Sequence, residues 1–199
     1  PLTYLHCAGN QLTSLDVSLN TALTVLSCDY NELTTLDVSN NTALTGLYVQ
    51  FNSLTALDVS SNTALTELHC EVNQLTVLDV SANTALNYLD VHENQLTSLD
   101  VSANTALTGL YCYSNQLTSL DVSSNTALTY LWCQNNQLFH LNMKNGVTDQ
   151  LTEFDATEND LSCIETLDPD YATENWTYAN GNIDEGVDFS VICAPEGYT

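Results

Sequence analysis

Positive charge is almost missing from this sequence. Lys144 is its one basic residue and arginine is absent, against 25 aspartates and glutamates, for a net charge of −24. A nucleic-acid binder neutralises phosphates with clustered Lys and Arg, so that class is excluded. Docking on anionic lipid through a basic patch is disfavoured for the same reason. Also missing is any run of about 18 apolar residues, so no direct membrane insertion is expected. No nucleophile elbow, P-loop or HExxH occurs, and without arginine no guanidinium stabilises an oxyanion. The chain is therefore read as a non-enzyme. Its acidity confers solubility and leaves a basic partner, a metal cation or a neutral glycan as compatible ligands.

What is present is repetition. Aligned on itself, the chain shows a period of 21 residues. One half-repeat runs LTYLHCAGNQ (2–11), LTVLSCDYNE (23–32), LTGLYVQFNS (44–53), LTELHCEVNQ (65–74), LNYLDVHENQ (86–95), LTGLYCYSNQ (107–116) and LTYLWCQNNQ (128–137). Near-copies of LTSLDVSLNTA lie between them, from 12–22 to 117–127. Within Leu2–Ala8, Leu5 and Cys7 alternate with Tyr4, His6 and Ala8. Period two is a strand signature with one buried face. Seven such strands, about 4.8 Å apart, give a parallel sheet spanning roughly 30 Å.

Two asparagine rows recur at the same period, one from Asn10 to Asn136 and one from Asn20 to Asn125. Asn suits left-handed turns, and its amide satisfies backbone groups where a coil bends. The predicted fold is a leucine-rich-repeat solenoid, a right-handed stack of 21-residue coils. Its parallel β-sheet lines the concave face, turns or short strands line the convex side, and there is little α-helix. Seven regular coils and a degenerate eighth at 151–159 occupy residues 1–164, and residues 165–199 form a C-terminal cap. Twelve of the 25 acidic residues follow position 150. The opening Pro1–Leu5 is already inside a repeat, which reads as a mature fragment whose signal peptide and N-terminal cap lie upstream.

The pattern LTxLxCxxNxLTxLDVSxN resembles the 21-residue leucine-rich repeats of internalin J and related surface proteins. Those repeats carry a cysteine in place of a core leucine, as Cys7, Cys28, Cys70, Cys112 and Cys133 do here. The end of the repeats, Asn159–Ile164, and the acidic stretch after it resemble secreted repeat proteins of Bacteroidetes. The resemblance implies a secreted or cell-surface bacterial protein with an adhesive role, probing a protein or glycan at a cell surface, and a monomer is expected. Fold resemblance alone names no ligand.

Five of the seven cysteines share the inward position that Val49 and Val91 fill elsewhere, which marks a core position. In-register parallel strands seldom meet disulfide geometry, so these are read as free thiols. Cys163 and Cys193 lie outside the repeats, in a tail with few large aliphatic residues. A bond between them closes a loop of about 30 residues, stabilises by roughly 3–4 kcal/mol, and locks a cap over the last coil.

The Asp-Val-Ser half barely changes between copies, whereas the outward positions of the other half vary freely. Those positions hold Tyr4, His6, Tyr48, Tyr88, Tyr111, Tyr113, Tyr130 and Trp132 on the expected concave face. Tyr and Trp dominate binding hot spots, so these residues are the candidate ligand-binding set. Tyr111, Tyr113, Tyr130 and Trp132 form the expected centre. The favoured reading is a recognition module for a protein partner; a carbohydrate-binding module is the alternative, and cross-strand pairs that merely stabilise the sheet account for the same aromatics.

A second constellation, His69, Glu71, Asp90 and His92 with Glu67 nearby, sets two imidazoles and two carboxylates on adjacent coils, a ligand set for Zn²⁺. The invariant Asp row from Asp16 to Asp121 needs an offset to a repulsion of roughly 3 kcal/mol per pair. Hydrogen bonds from the Ser and Thr of the same turns supply it, with Ca²⁺ as the alternative. No other cofactor is expected. A flat Thr/Ser array also suits ice, but a hydrated carboxylate row matches an ice plane poorly.

Overall fold

The computed structural model describes residues 1–194. Eight short strands form one parallel sheet: β1 (Tyr4–His6), β2 (Val25–Ser27), β3 (Gly46–Tyr48), β4 (Glu67–His69), β5 (Tyr88–Asp90), β6 (Gly109–Tyr111), β8 (Tyr130–Trp132) and β10 (Glu153–Asp155). Neighbours pair in one constant register, Leu5 on Leu26, Leu26 on Leu47, Leu47 on Leu68. The convex side carries a second parallel sheet in its C-terminal half, from β7 (Ser119–Asp121) through β9 (His140–Met143) and β11 (Cys163–Thr166) to β12 (Asp188–Ser190). Among the described residues, helix is confined to a 3₁₀ turn at Thr148–Gln150 and to α1 (Pro169–Asn175). The solenoid expected from the 21-residue period is the fold observed.

Its core is a set of side-chain ladders running along the stack. Leu26, Leu47, Leu68, Leu89, Leu110 and Leu131 are fully buried, as are Cys28, Val49, Cys70, Val91, Cys112 and Cys133 two residues on. Fully burying a Leu or Val contributes about 1.5–3 kcal/mol. In the first coil Leu5, Cys7, Leu12 and Leu15 are only partly buried, because that coil has a neighbour on one side.

The asparagines tie each coil to the one before it. Asn73 donates through Nδ2 to the carbonyls of Val49 (3.1 Å), Cys70 (3.1 Å) and Glu71 (3.2 Å), and its Oδ1 accepts the N–H of Leu54 at 2.9 Å. Asn83 donates to Val59 at 3.0 Å and to Asn62 at 2.9 Å. Both rows thus satisfy buried backbone groups. The left-handed position, however, is the residue before the first-row asparagine. Tyr30, Phe51, Val72, Glu93, Ser114 and Asn135 take φ of 50–56° there. The reason is that the Asn side chain needs the preceding backbone to curl back under it, while its own φ stays ordinary. Side chains as unlike as Val72 and Glu93 are forced into this conformation, at a cost of about 1–2 kcal/mol each.

The aspartate row is offset locally. The backbone N–H of Ser18 donates to Asp16 Oδ1 at 2.9 Å, and the same bond recurs at Ser39, Ser60, Ser81, Ser102 and Ser123. Hydrogen bonding from these serines holds Asp16, Asp37, Asp58, Asp79 and Asp100 below the usual carboxylate range, against a weaker opposing push from desolvation and, at Asp37, Asp79 and Asp100, from neighbouring aspartates.

The tail closes the stack. Asp168 caps α1 by accepting from Tyr171 N at 3.0 Å, with Pro169 in the first turn. Trp176 packs on Phe154 and Phe189 with ring centroids 4.6 and 5.9 Å apart. Beyond β10, Ala156 N–H bonds to Asn182 O at 2.8 Å and Asp184 takes the N–H groups of Glu158 and Asn159. The sheet edge is thus covered rather than open. Cys163 and Cys193 are joined by a disulfide, Cα atoms 5.9 Å apart, and Lys144 pairs with Glu165.

Replacing Asn83 by Ala orphans two buried carbonyls, which predicts a loss of about 2–4 kcal/mol in urea unfolding. Asn10→Ala, at an exposed position, should cost under about 1 kcal/mol. The lowered aspartates make stability pH-dependent. Their contribution is complete above about pH 4 and is lost as pH falls through their folded values. In the triple variant Asp58→Asn, Asp79→Asn, Asp100→Asn, the urea midpoint should therefore fall less between pH 5 and pH 3 than in the wild type, where both values are conditions of the assay.

Candidate functional site

The outward positions of the concave strands bring aromatic rings together across five coils. Tyr48 stacks on His69 with centroids 4.9 Å apart, His69 on Tyr88 at 4.7 Å, and Tyr88 on Tyr111 at 5.1 Å. Trp132 ends the strip, turned 75° against Tyr111. A branch of His92 and Tyr113 stacks at 4.2 Å and reaches Trp132 at 6.1 Å. Of the expected centre, Tyr111, Tyr113 and Trp132 are joined. Tyr130 stands apart, exposed, outside the ring contacts that join Tyr88, Tyr111 and Trp132. Tyr4 is exposed on the first strand.

Two glycines make the strip. A Cβ at Gly46 would stand 3.1 Å from the ring of Tyr48, and one at Gly109 3.1 Å from that of Tyr111. Each tyrosine thus lies down over the glycine two residues before it. The Gly-Leu-Tyr spacing in both repeats was the signal available, and the sequence reading passed over it. Burial raises the phenols of Tyr48 and Tyr113 to about 12, and Tyr48 donates to Glu67, which removes Glu67 from the neighbouring cluster.

That cluster contains His69, Glu71 and Asp90, whose donor atoms lie within 4.8 Å of one another. His92 stands one step out. Its Nδ1 is 2.6 Å from Asp90 Oδ1 and its ring is stacked on Tyr113. The four-cornered arrangement expected from strand spacing is therefore a triangle with one supporting histidine. Burial, reinforced by Asp90, pushes the Glu71 carboxyl up to about 7. Burial lowers His69. It opposes charge on His92 as well, but the hydrogen bond and charge of Asp90 outweigh it and raise that ring.

His6 belongs to another arrangement. His6 Nδ1 lies 2.7 Å from Ser27 Oγ, and Ser27 donates to Asp29 at 2.7 Å. The serine proton points to the aspartate, so the imidazole donates to Ser27 rather than accepting from it. At the far end of the strip a cleft of about 520 Å³ opens between the sheet and the cap, lined by Trp132, Glu153, Asp155, Tyr171, Asn175 and Asn182 among others. The sequence reading found Trp132 but not this cleft, because α1 and Asn182 reach it only through tertiary contact.

No protein-family profile and no curated protein matches the chain. Among solved structures, the functional domain of InlJ from Listeria monocytogenes, described as including a cysteine ladder, aligns with 83% of this chain and 44% of its own length. The identity is 40% and the TM-score 0.63. This chain is an internalin-J-like leucine-rich-repeat protein. A leucine-rich-repeat protein of Leptospira interrogans covers 94% of it and 50% of its own length, at 24% identity and a TM-score of 0.77. The internalin InlF of Listeria monocytogenes covers 96% and 54%, at 21% identity and 0.69. These two show the fold alone. The chain spans about half the length of the structures it matches.

In this internalin-J-like solenoid the ladder cysteines are unbonded: Cys28, Cys70, Cys112 and Cys133 are buried and Cys7 partly so. Val49 and Val91 interrupt the row. Burial raises the thiols of Cys28 and Cys112 to about 12 and those of Cys70 and Cys133 well above the ordinary thiol value. Thiolates are the reactive form, so the four buried thiols are inert while folded. A native thiol titration should label Cys7 alone, and denaturant should release the other four; rapid native labelling of all five would contradict this packing.

Proposed function

We propose that this chain is an extracellular recognition module that binds a protein partner through its concave face. The observation that carries the reading is the continuous strip of half-buried rings from Tyr48 to Trp132, on the half of the repeat that varies. Rings are rigid and lose little entropy on docking, and such residues dominate interface energies. The surrounding surface is acidic, with Asp29, Glu67 and Glu153 on the same strands or just after them, which fits a partner with a basic rim. The similar solved structures include internalins, which supports a protein-interaction module.

A second reading rests on the cleft at the end of the strip. Stacked rings give their faces to each other, but Trp132 is turned out of the stack and shares the cleft with Tyr171 and several amides. Ring faces beside amide and carboxylate groups suit a sugar.

The test is a binding screen against extracellular proteins and, in parallel, a polysaccharide array. A genuine partner should bind Tyr111→Ala and Trp132→Ala about 30-fold more weakly than wild type. The convex control Val77→Asp, at an exposed position, should leave it unchanged. A partner weakened by the convex change and not by the ring changes would overturn the concave reading. Polysaccharide binding lost in Trp132→Ala would establish the cleft instead.

A further inference from the structure

His69, Glu71 and Asp90 meet across β4 and β5, where the register sets His69 opposite Asp90. His69 Nδ1 is 3.8 Å from Glu71 Oε2. That oxygen is the informative atom. The Glu71 side chain is only 9% exposed, yet Oε2 is buried, faces His69 and has no hydrogen-bond partner among the described residues. Buried polar atoms nearly always have one, and a carboxylate oxygen is among the costliest to leave bare. The scaffold does not require glutamate there, since Gln50, His92, Tyr113 and Gln134 fill the same place in other coils. Gln50 and Gln134 also leave a buried Oε1 without a partner, but theirs are neutral amide oxygens, whereas Glu71 leaves a carboxylate oxygen bare. Nor does a lysine compensate for Glu71, because Lys144 is committed to Glu165.

We propose that His69, Glu71 and Asp90 bind a divalent transition-metal cation of the Zn²⁺ type, with His92 as a positioning residue. One imidazole nitrogen and two carboxylate oxygens match the donors that zinc takes, whereas calcium calls for about six to eight oxygens. Zinc bonds of about 2.0–2.2 Å place tetrahedral donors roughly 3.3–3.5 Å apart. The donors here lie within 4.8 Å, so closure needs about 1 Å of side-chain movement. Glu71 Oε2 breaks no hydrogen bond in making it.

The other two ligands are already held. The rings of Tyr48 and Tyr88 sandwich His69. His92 fixes Asp90 Oδ1 through Nδ1 at 2.6 Å and through its backbone N–H at 3.3 Å, which leaves Oδ2 for the cation. Such outer partners commonly change metal affinity about 10–100-fold. Three protein ligands leave the fourth zinc position to water, and the His69 side chain, 21% exposed, puts the site in contact with the concave surface. The site does not depend on the partner reading, since it is assayed with no partner present.

The test is titration of chelator-treated protein with ZnCl₂ alone, by calorimetry and by thermal unfolding. One zinc should bind, with a Kd in the micromolar range or tighter, and raise Tm. His92→Gln should weaken binding about 10-fold, and Glu71→Gln and His69→Ala by more. Cys7→Ser should bind as wild type. With Co²⁺ as probe, the intense visible absorption of a four-coordinate site should appear in wild type and vanish in Glu71→Gln. In His92→Gln its shape should change, which a merely structural role would not produce. If His69→Ala loses its circular-dichroism signature, the near-isosteric Glu71→Gln decides. Absence of binding in wild type, or undiminished binding in Glu71→Gln, would overturn the site.

Discussion

The structure depends on one interaction repeated at every coil after the first, the asparagine amide that bonds two coils at once. An amide taken out of water must have its N–H groups satisfied, and in Asn73 they reach carbonyls of its own coil and of the preceding one. A coil slipped by one residue would strand both donors and turn leucines outward. The amides therefore fix the register, the register aligns the leucine and cysteine rows, and those rows make the core. The left-handed residue before each first-row asparagine is part of the same geometry, imposed even on Val72.

Because backbone and scaffold side chains carry the fold, the outward positions of the concave strands are free to differ. What they hold is organised by packing between coils. Rings spaced by one strand separation stack, and glycine at the first outward position lets the tyrosine two residues on lie flat. Stacking turns isolated tyrosines into one rigid surface. The same spacing brings carboxylates close wherever adjacent coils carry them.

An acidic chain with one lysine must settle its carboxylates otherwise. The convex aspartates take hydrogen bonds from serines in solvent, Asp90 takes His92, Glu67 takes Tyr48, Asp184 takes two backbone N–H groups, and Glu165 takes Lys144. Glu71, buried beside Asp90 and His69, lacks this settlement at Oε2. The other oxygens left bare in this way, such as those of Gln50 and Gln134 at the same position, belong to neutral amides.

The sequence by itself determined the solenoid, the coil length, the core rows and the division between constant and variable halves. Each of these follows from periodicity, and a 21-residue repeat that alternates on one face can bury that face only by stacking on its neighbours. It also named the residues of the ring strip and the histidine–carboxylate cluster, since strand spacing alone brings adjacent coils together. It could not set side-chain direction. Tyr130 shares a strand with Trp132 but stays exposed outside the ring strip, and His92 supports Asp90 instead of standing as its equal. The left-handed turn fell one residue earlier than asparagine's own preference suggested, because the amide's hydrogen bonds outweigh local propensity. The cleft beside Trp132 was decided only by the tertiary structure, since residues as far apart in sequence as Trp132 and Asn182 meet there through the docking of the tail.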